Sequence, residues 1–217
     1  MIYNIYKPVD WTSFDVVKKI RGIIKEKKVG HGGTLDPFAE GVLIIGTGKD
    51  AKKLTEISET TKSYRAILKM GEATETLDIE GPVIKKKPVP EITEDLLYAV
   101  IKSFEGDYTH TPPMYSAKRV NGVRLYKLAR QQKVVERQPV TVKIENMHLN
   151  SYKEGFLNFS VTCSKGTYIR VLGQDIAEKL GTVGHLIKLI RTRVGHYNIE
   201  ESVSIKKFET SWMSTAL

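Results

Sequence analysis

The strongest structural signal in the chain lies between residues 140 and 180, which read VTVKIENMHLNSYKEGFLNFSVTCSKGTYIRVLGQDIAEKL. Val140 to Tyr152 and Phe156 to Cys163 have the apolar and β-branched content of strands, and the intervening Lys153-Glu154-Gly155 predicts a β-hairpin. The apolar spacing then changes to that of an amphipathic helix over Thr167 to Leu180. Two consecutive strands followed by a helix do not fit the strict alternation of a doubly wound parallel sheet.

The amino-terminal part of the chain predicts further strands and one helix. Ile2 to Tyr6 reads as a short strand, and Val42 to Ile45 as a buried one behind a glycine-rich loop at Gly30 to Gly41. Lys62 to Met70 predicts a strand with Tyr64, Ala66 and Leu68 on one face. Between the first strand and the loop, Ser13 can cap a helix whose apolar positions recur at helical spacing, namely Phe14, Val17, Ile20 and Ile24.

A second helix is predicted in the middle of the chain. Pro88 and Pro90 interrupt the preceding pattern, and Thr93 caps a helix with one apolar stripe, formed by Leu96, Leu97, Val100, Ile101 and Phe104. Strands and helices are therefore mixed without regular alternation. This order predicts an α+β fold with a mixed, largely antiparallel central sheet flanked by helices.

Composition limits the classes of protein to which the chain can belong. Its 34 Lys and Arg against 25 Asp and Glu give a formal net charge of +9, which favours a polyanionic partner but equally fits a soluble protein rich in lysine. The one cysteine, Cys163, excludes an internal disulfide and a cluster of thiolate ligands for zinc. Neither a secretory signal nor a membrane-spanning apolar segment is recognisable, so we expect a cytoplasmic protein.

The densest motif is Gly30-His31-Gly32-Gly33-Thr34-Leu35-Asp36-Pro37-Phe38-Ala39-Glu40-Gly41-Val42-Leu43. Its glycines indicate close backbone approach or positive φ, but it lacks the ending of a P-loop and the GxGxxG order of a dinucleotide site. Pro37 restricts Asp36 to an extended or turn conformation at the boundary between loop and strand. By spacing alone, an Asx-turn that satisfies local amides is the simpler interpretation of Asp36.

Five blocks, in the same order along the chain, resemble those of the bacterial tRNA pseudouridine-55 synthases, the TruB family. Gly33-Thr34-Leu35-Asp36-Pro37 resembles the motif that carries the family's nucleophilic aspartate. The other four are Lys7-Pro8 with Thr12-Ser13, Lys62-Ser63-Tyr64-Arg65, Pro112-Pro113-Met114-Tyr115-Ser116-Ala117-Lys118, and Cys163-Ser164-Lys165-Gly166-Thr167-Tyr168-Ile169-Arg170. Asp10 stands where the family has a glycine in the first of these.

The resemblance implies an enzyme that isomerises uridine 55 in the T loop of tRNA after flipping the base out of the loop. It implies the pseudouridine synthase fold over residues 1–200, with an RNA-binding insertion around 85–150. Residues 201–217 would be a short tail in place of the family's usual small carboxy-terminal RNA-binding domain. No cofactor and no metal are expected, the partner is the T-arm stem-loop of tRNA, and we expect a monomer.

The resemblance also assigns roles to residues, each of which has a simpler alternative. Asp36 would be the nucleophile, at uracil C6 or ribose C1′, and Arg170 its positive partner rather than a surface charge. Tyr64 would stack on the flipped uracil and assist proton removal from C5, whereas a strand tyrosine is otherwise most simply a core residue. The remaining candidates for substrate binding are Tyr168, Leu189 as an apolar wall, His31 in the space left by the flipped base, and Lys7 and Asp78, which could order the site or contact RNA.

Two other functions remain open from the sequence. A tRNA-binding protein that assists RNA folding without chemistry could use the same basic surface. A related synthase could act on a different uridine. Replacing Asp36 by asparagine should abolish isomerisation but leave RNA binding and folding assistance intact, which distinguishes an enzyme from a folding helper. Offering other RNA stem-loops as substrates distinguishes a synthase with a different target.

Overall fold

A computed structural model describes residues 1–215 of the chain. It divides into two compact units, the first formed by Met1–Arg65 with the chain from Leu189 onward, and the second by Ala66–Lys188. The last two residues of the predicted 201–217 tail lie outside the described residues.

The elements follow the mixed order that the sequence predicts. The strands, numbered along the chain, are β1 (Ile2–Lys7), β2 (Val29–His31), β3 (Glu40–Thr47), β4 (Lys62–Met70), β5 (Glu72–Thr74), β6 (Val83–Lys86), β7 (Gly106–His110), β8 (Arg119–Val120), β9 (Val123–Arg124), β10 (Val140–Lys153), β11 (Phe156–Cys163), β12 (Gly184–Val194), β13 (Tyr197–Asn198) and β14 (Val203–Ser204). The α-helices are α1 (Ser13–Ile24), α2 (Leu54–Glu59), α3 (Glu94–Lys102), α4 (Leu125–Ala129), α5 (Ile169–Lys179) and α6 (Ile205–Thr215), and 3-10 helices cover Gly48–Lys53 and Ile199–Glu201.

The first unit contains a mixed sheet with the strand order β14-β1-β3-β12, in which β2 also pairs with β3 and β13 with β12. β1 pairs with β14 in parallel and with β3 antiparallel, and β12 pairs with β3 in parallel. Helix α1 packs on this sheet, and its buried residues Val16, Val17 and Ile20 share a core with Ile5 and Leu43. The sheet thereby supports the loop between β2 and β3.

The start of α1 differs from the sequence prediction in two respects. The cap is Thr12 and not Ser13, because Thr12 and Asp15 form a reciprocal capping box. Phe14 is 62% exposed, so its assignment to the apolar stripe is wrong. Val16, Val17 and Ile20 form the buried face instead.

The second unit contains the predicted hairpin. Its strand order is β4-β11-β10-β7, and β10 pairs antiparallel with both β11 and β7. Strand β10 continues through Lys153, so the turn is only Glu154-Gly155, with φ values of 52° and 80°. Two positive φ values are those of a type I′ hairpin turn, for which glycine at the second position is favourable. The hairpin prediction is confirmed, with a turn one residue shorter than expected.

Most other predicted elements are confirmed with shifted ends. Thr93 caps α3 as expected, although Leu96 of its predicted stripe is 43% exposed. The predicted loop from Gly30 to Gly41 is wrong at its start, because β2 pairs with β3 through His31. Helix α5 begins at Ile169 and not at Thr167, since the preceding Tyr168 is extended. The α+β fold with a mixed, largely antiparallel sheet flanked by helices is confirmed.

Candidate active site

Asp36 lies half-buried in the first unit, on the loop between β2 and β3. Two glycines of this motif serve strict geometric needs. Gly33 has a φ of +135°, and Gly41 has a φ of +107°, in the range that side chains disfavour. A Cβ atom on Gly41 would also lie 2.3 Å from the backbone oxygen of Arg191, so only glycine allows β3 to approach β12 here.

The backbone on both sides of Asp36 is fixed by hydrogen bonds from other elements. The hydroxyl of Ser13 accepts from the N–H of Leu35 at 2.9 Å and donates to the Leu35 carbonyl at 3.2 Å. The Lys7 ammonium donates to the Pro37 carbonyl at 3.2 Å, and the Asp10 N–H donates to the same oxygen at 2.9 Å. The residues before and after Asp36, Leu35 and Pro37, are therefore both held in place by hydrogen bonds.

Asp10 adopts the conformation that the family's glycine would favour. Its φ is +63°, a left-handed value that aspartate tolerates better than most residues but glycine tolerates best. The side chain is exposed, whereas the N–H reaches Pro37. Asp10 therefore forms a turn after Pro8 in a backbone conformation that is less favourable for aspartate than for glycine.

Arg191, on β12, is a residue of this site that the sequence analysis missed. Only 2% of it is exposed. Its Nε donates to the Val42 carbonyl at 2.8 Å, its Nη1 to the Thr34 carbonyl at 3.2 Å, and its Nη2 to the Gly33 carbonyl at 3.1 Å. The sequence shows only an arginine within a largely apolar strand, and its carbonyl partners can belong to any residue type.

Three more candidates belong to the same unit. His31 ends β2, pairs with Ile45 and accepts a 3.4 Å hydrogen bond from the Gly33 N–H on Nδ1. Tyr64 is half-buried on β4. Leu189 is 5% exposed on β12, two residues before Arg191, so both side chains point to the strand face that contacts the Asp36 loop.

Arg170 lies in the second unit, in the first turn of α5, and is 3% exposed. This burial rules out the simpler interpretation of Arg170 as a surface charge. Its Nη1 donates to the Thr76 carbonyl at 2.7 Å and its Nη2 to the Tyr115 carbonyl at 2.7 Å. Nη1 also lies 3.5 Å from Oδ2 of Asp78. The guanidinium is therefore held in one orientation by several acceptors.

Asp78 organises the segment that supplies one of these acceptors. It is 2% exposed, and its Oδ1 accepts from the Thr76 hydroxyl at 2.5 Å and from the Glu80 N–H at 3.0 Å. The preceding Leu77 has a φ of +64°, an uncommon value for leucine, and its carbonyl accepts from the N–H of Leu186. Asp78 thus fixes a strained turn in which the Thr76 carbonyl accepts a hydrogen bond from Arg170.

Tyr168 precedes α5 and contacts a buried histidine. Its N–H donates to Nε2 of His110 at 3.4 Å, and the two rings lie edge to face with centroids 5.8 Å apart. His110 is 4% exposed and stacks on Tyr108, whose hydroxyl donates to Asp175. Burial lowers the pKa of His110, which keeps the imidazole neutral and able to accept the hydrogen bond from Tyr168.

The predicted site residues are thus distributed between the two units. The first holds Lys7, His31, Asp36, Tyr64 and Leu189, and the second holds Asp78, Tyr168 and Arg170. Lys7 is joined to the Asp36 loop, and Asp78 to Arg170. Among residues 1–215, His, Cys, Asp and Glu side chains form no group of three or more that could hold a metal ion. Over the same residues, no helix is both long and apolar enough to cross a membrane.

Comparisons with known proteins match nearly the whole chain. A family model described as TruB family pseudouridylate synthase (N terminal domain) matches residues 21–169. A second, described as tRNA pseudouridylate synthase B C-terminal domain, matches residues 170–216.

Relatives named tRNA pseudouridine synthase B share long stretches of sequence with the chain. The one from Lactococcus lactis subsp. lactis is 42% identical over 218 residues, covering 97% of this chain and 66% of the relative. The one from Clostridium tetani is 44% identical over 205 residues, covering 94% of this chain and 71% of the relative. The chain therefore spans 66% to 71% of the length of these relatives.

Among solved structures, a chain in the crystal structure of a Cbf5-Nop10-Gar1 complex is similar over 100% of this chain and 56% of its own length. The TM-score is 0.78 and the sequence identity 26%. The similarity supports the same fold in both chains.

Proposed function

Because the chain belongs to the TruB family of pseudouridylate synthases, we propose that it isomerises uridine 55 in the T loop of tRNA to pseudouridine. The observation that supports this most directly is the placement of Asp36 on a loop whose backbone is fixed on both sides by Lys7, Asp10 and Ser13. A general RNA-binding loop has no need for an aspartate whose neighbouring peptide groups are held so firmly.

In the proposed reaction the N1–C1′ glycosidic bond breaks, the uracil turns, and a C5–C1′ bond forms. Asp36 attacks either uracil C6 or ribose C1′ and leaves at the end, so no net oxidation or hydrolysis occurs. The proton initially on C5 is released to solvent when the new bond has formed. Its release provides a direct measure of turnover.

Arg170 is the proposed source of positive charge for the reaction. A guanidinium carries a positive charge, and its planar fork suits a carboxylate. The carbonyls of Thr76 and Tyr115 and the carboxylate of Asp78 hold it in place before substrate binds. This preorganisation reduces the rearrangement that the reaction requires.

The remaining residues are proposed to bind the substrate base or to order the site. Tyr64 stacks on the flipped uracil and assists proton removal from C5, and Leu189 and Tyr168 exclude water from the base. His31 occupies the space that the base leaves. Lys7 is 0% and Asp78 2% exposed, so their burial favours an ordering role over direct contact with RNA.

The proposed partner is tRNA, recognised through its T-arm by shape and by unstacked bases. The net charge of +9 suits such a polyanion. We further propose that the protein acts as a monomer in the cytoplasm, that residues 1–200 form the catalytic domain, and that an insertion around 85–150 contacts RNA.

The test is release of tritium from a T-arm stem-loop labelled at uridine C5, with no cofactor added. Wild type should release tritium, and Asp36→Asn should release none while binding the RNA as wild type does. Asp10→Asn is the matched control, because asparagine tolerates positive φ and the contact to Pro37 uses only the backbone. It should retain activity.

Two outcomes would contradict parts of the proposal. Binding without release by wild type would favour a tRNA-binding protein that acts without chemistry. Release from other uridine-labelled stem-loops, but not from the T-arm, would favour a related synthase with a different target.

A further inference from the structure

We infer that Arg191 is a positioning residue for the reaction, which it serves by fixing the loop that carries Asp36. The inference rests on the proposed function, since it concerns the placement of the proposed nucleophile. It adds a residue outside the set that the sequence motifs indicate.

The contacts of Arg191 are the first ground for this inference. All three of its hydrogen bonds end on backbone carbonyls of one motif, at Gly33, Thr34 and Val42, with distances between 2.8 and 3.2 Å. The carbonyls of Gly33 and Thr34 lie directly before Leu35, whose N–H donates a hydrogen bond to Ser13. Together with Lys7 on Pro37, these contacts fix the loop on both sides of Asp36.

The burial of Arg191 is the second ground. With 2% of the residue exposed, its guanidinium offers no surface to an RNA phosphate. Within residues 1–215, no carboxylate lies within 4 Å of it to form an ion pair. A buried cation needs polar partners, and here the carbonyl dipoles of the loop supply them. The charge is therefore balanced only when the loop has its observed shape.

The backbone of Arg191 adds a third ground. It pairs in parallel with Gly41, at the other end of the same motif, where the close approach admits no side chain. Arg191 thus binds Gly33 and Thr34 before Asp36 through its side chain, and it contacts Gly41 and Val42 after Asp36 through its main chain and its side chain. A shift of β12 would move both ends of the Asp36 loop together.

Lysine cannot reproduce these contacts. Its single ammonium group cannot span three carbonyls that the branched guanidinium reaches from three different nitrogens. A loop released from these contacts would carry Asp36 in several positions. Because misplacement of a reacting group by about 1 Å can cost about 100-fold in rate, the expected effect is on turnover more than on RNA binding.

The experiment compares Arg191→Lys and Arg191→Met with two matched controls, Arg193→Lys and Arg193→Met, in the tritium-release assay. Arg193 lies two residues further on the same strand, and its guanidinium contacts Ser63 and Gly195 and not the Asp36 loop. Circular dichroism reports the folded fraction of each variant at the assay temperature. Wild type and Asp36→Asn run in parallel.

The expected result is a fall in kcat of about 100-fold for Arg191→Met, with KM for the T-arm within about threefold of wild type. Arg191→Lys should retain more activity, and both Arg193 variants should stay within about threefold. Equal kcat for wild type and Arg191→Met would overturn the inference. So would a change confined to KM, or loss of the folded state in both Arg191 variants, because the guanidinium would then stabilise the whole fold. Absence of release by wild type would instead contradict the proposed function.

Discussion

Replacing Asp78 by asparagine tests the organisation of the second unit. Asparagine keeps the shape of the side chain, and its oxygen can still accept hydrogen bonds from Thr76 and Glu80. Its NH2 group would then stand where Oδ2 now faces Arg170, so the change removes both the negative charge and the acceptor on that side. Arg170, 3.5 Å away, would keep its hydrogen bonds to the carbonyls of Thr76 and Tyr115 but lose this anionic partner. The change thereby tests the contact of Asp78 with Arg170 separately from the hydrogen bonds that Asp78 accepts from Thr76 and Glu80.

The magnitude follows from the distance and the burial. At 3.5 Å, two unit charges attract by about 5 kcal/mol at an effective dielectric constant of about 20. Removing one partner of a buried pair typically costs about 3–5 kcal/mol. The hydrogen bonds that both residues retain place the expected loss of unfolding free energy near the lower value, at about 3 kcal/mol.

Urea unfolding followed by circular dichroism measures this loss. Glu72→Gln is the matched control, because the ion pairs of Glu72 with Lys69 and Lys86 are accessible to solvent, and such pairs contribute little. Its unfolding midpoint should stay close to that of wild type. A loss below about 1 kcal/mol in Asp78→Asn would refute the reasoning that Arg170 depends on this carboxylate.

Three further predictions concern other parts of the molecule. Asp10→Val should lower the unfolding free energy by about 1–2 kcal/mol while Asp10→Gly leaves it unchanged or higher, because Asp10 has positive φ; urea unfolding checks this, and a tolerated valine would contradict it. His110 has a lowered pKa, so the unfolded chain binds its proton more strongly. The unfolding free energy of wild type relative to His110→Gln should therefore be highest above pH ~6.5, the usual histidine pKa in an unfolded chain, and should fall as the pH drops toward the lower pKa of the folded protein. The same pH dependence of the unfolding free energy in both proteins would contradict this. Tyr64→Leu should weaken T-arm binding by about 1–3 kcal/mol, while Tyr64→Phe keeps the affinity and loses turnover; equal affinity of all three proteins would exclude stacking.

Local features of the fold could be predicted where neighbouring residues determine the structure. The hairpin around Lys153-Glu154-Gly155 and the cap at Thr93 both depend on residues within a few positions, and both are confirmed, although the turn itself is only Glu154-Gly155. The apolar face of α1 was misplaced because Phe14 satisfies helical spacing but points to solvent. Hydrophobic spacing alone does not show which side of a helix faces the sheet.

The candidate site shows the same limit more clearly. Asp36 and Arg170 were found through a motif, whereas the contacts that hold them are long-range. Arg191 donates to carbonyls more than 140 positions away in the sequence, and any residue type can supply a carbonyl. The role of a buried side chain bound to backbone cannot be read from residue types, so only the structure reveals it.

The most direct test of the central claim is to locate the modified nucleotide in a full-length unmodified tRNA. After incubation with the protein, a carbodiimide that marks pseudouridine and blocks primer extension reports the position of each modified base. The account predicts a block at uridine 55 with wild type and no block with Asp36→Asn. A block at another uridine only, or an equal block with both proteins, would contradict the account.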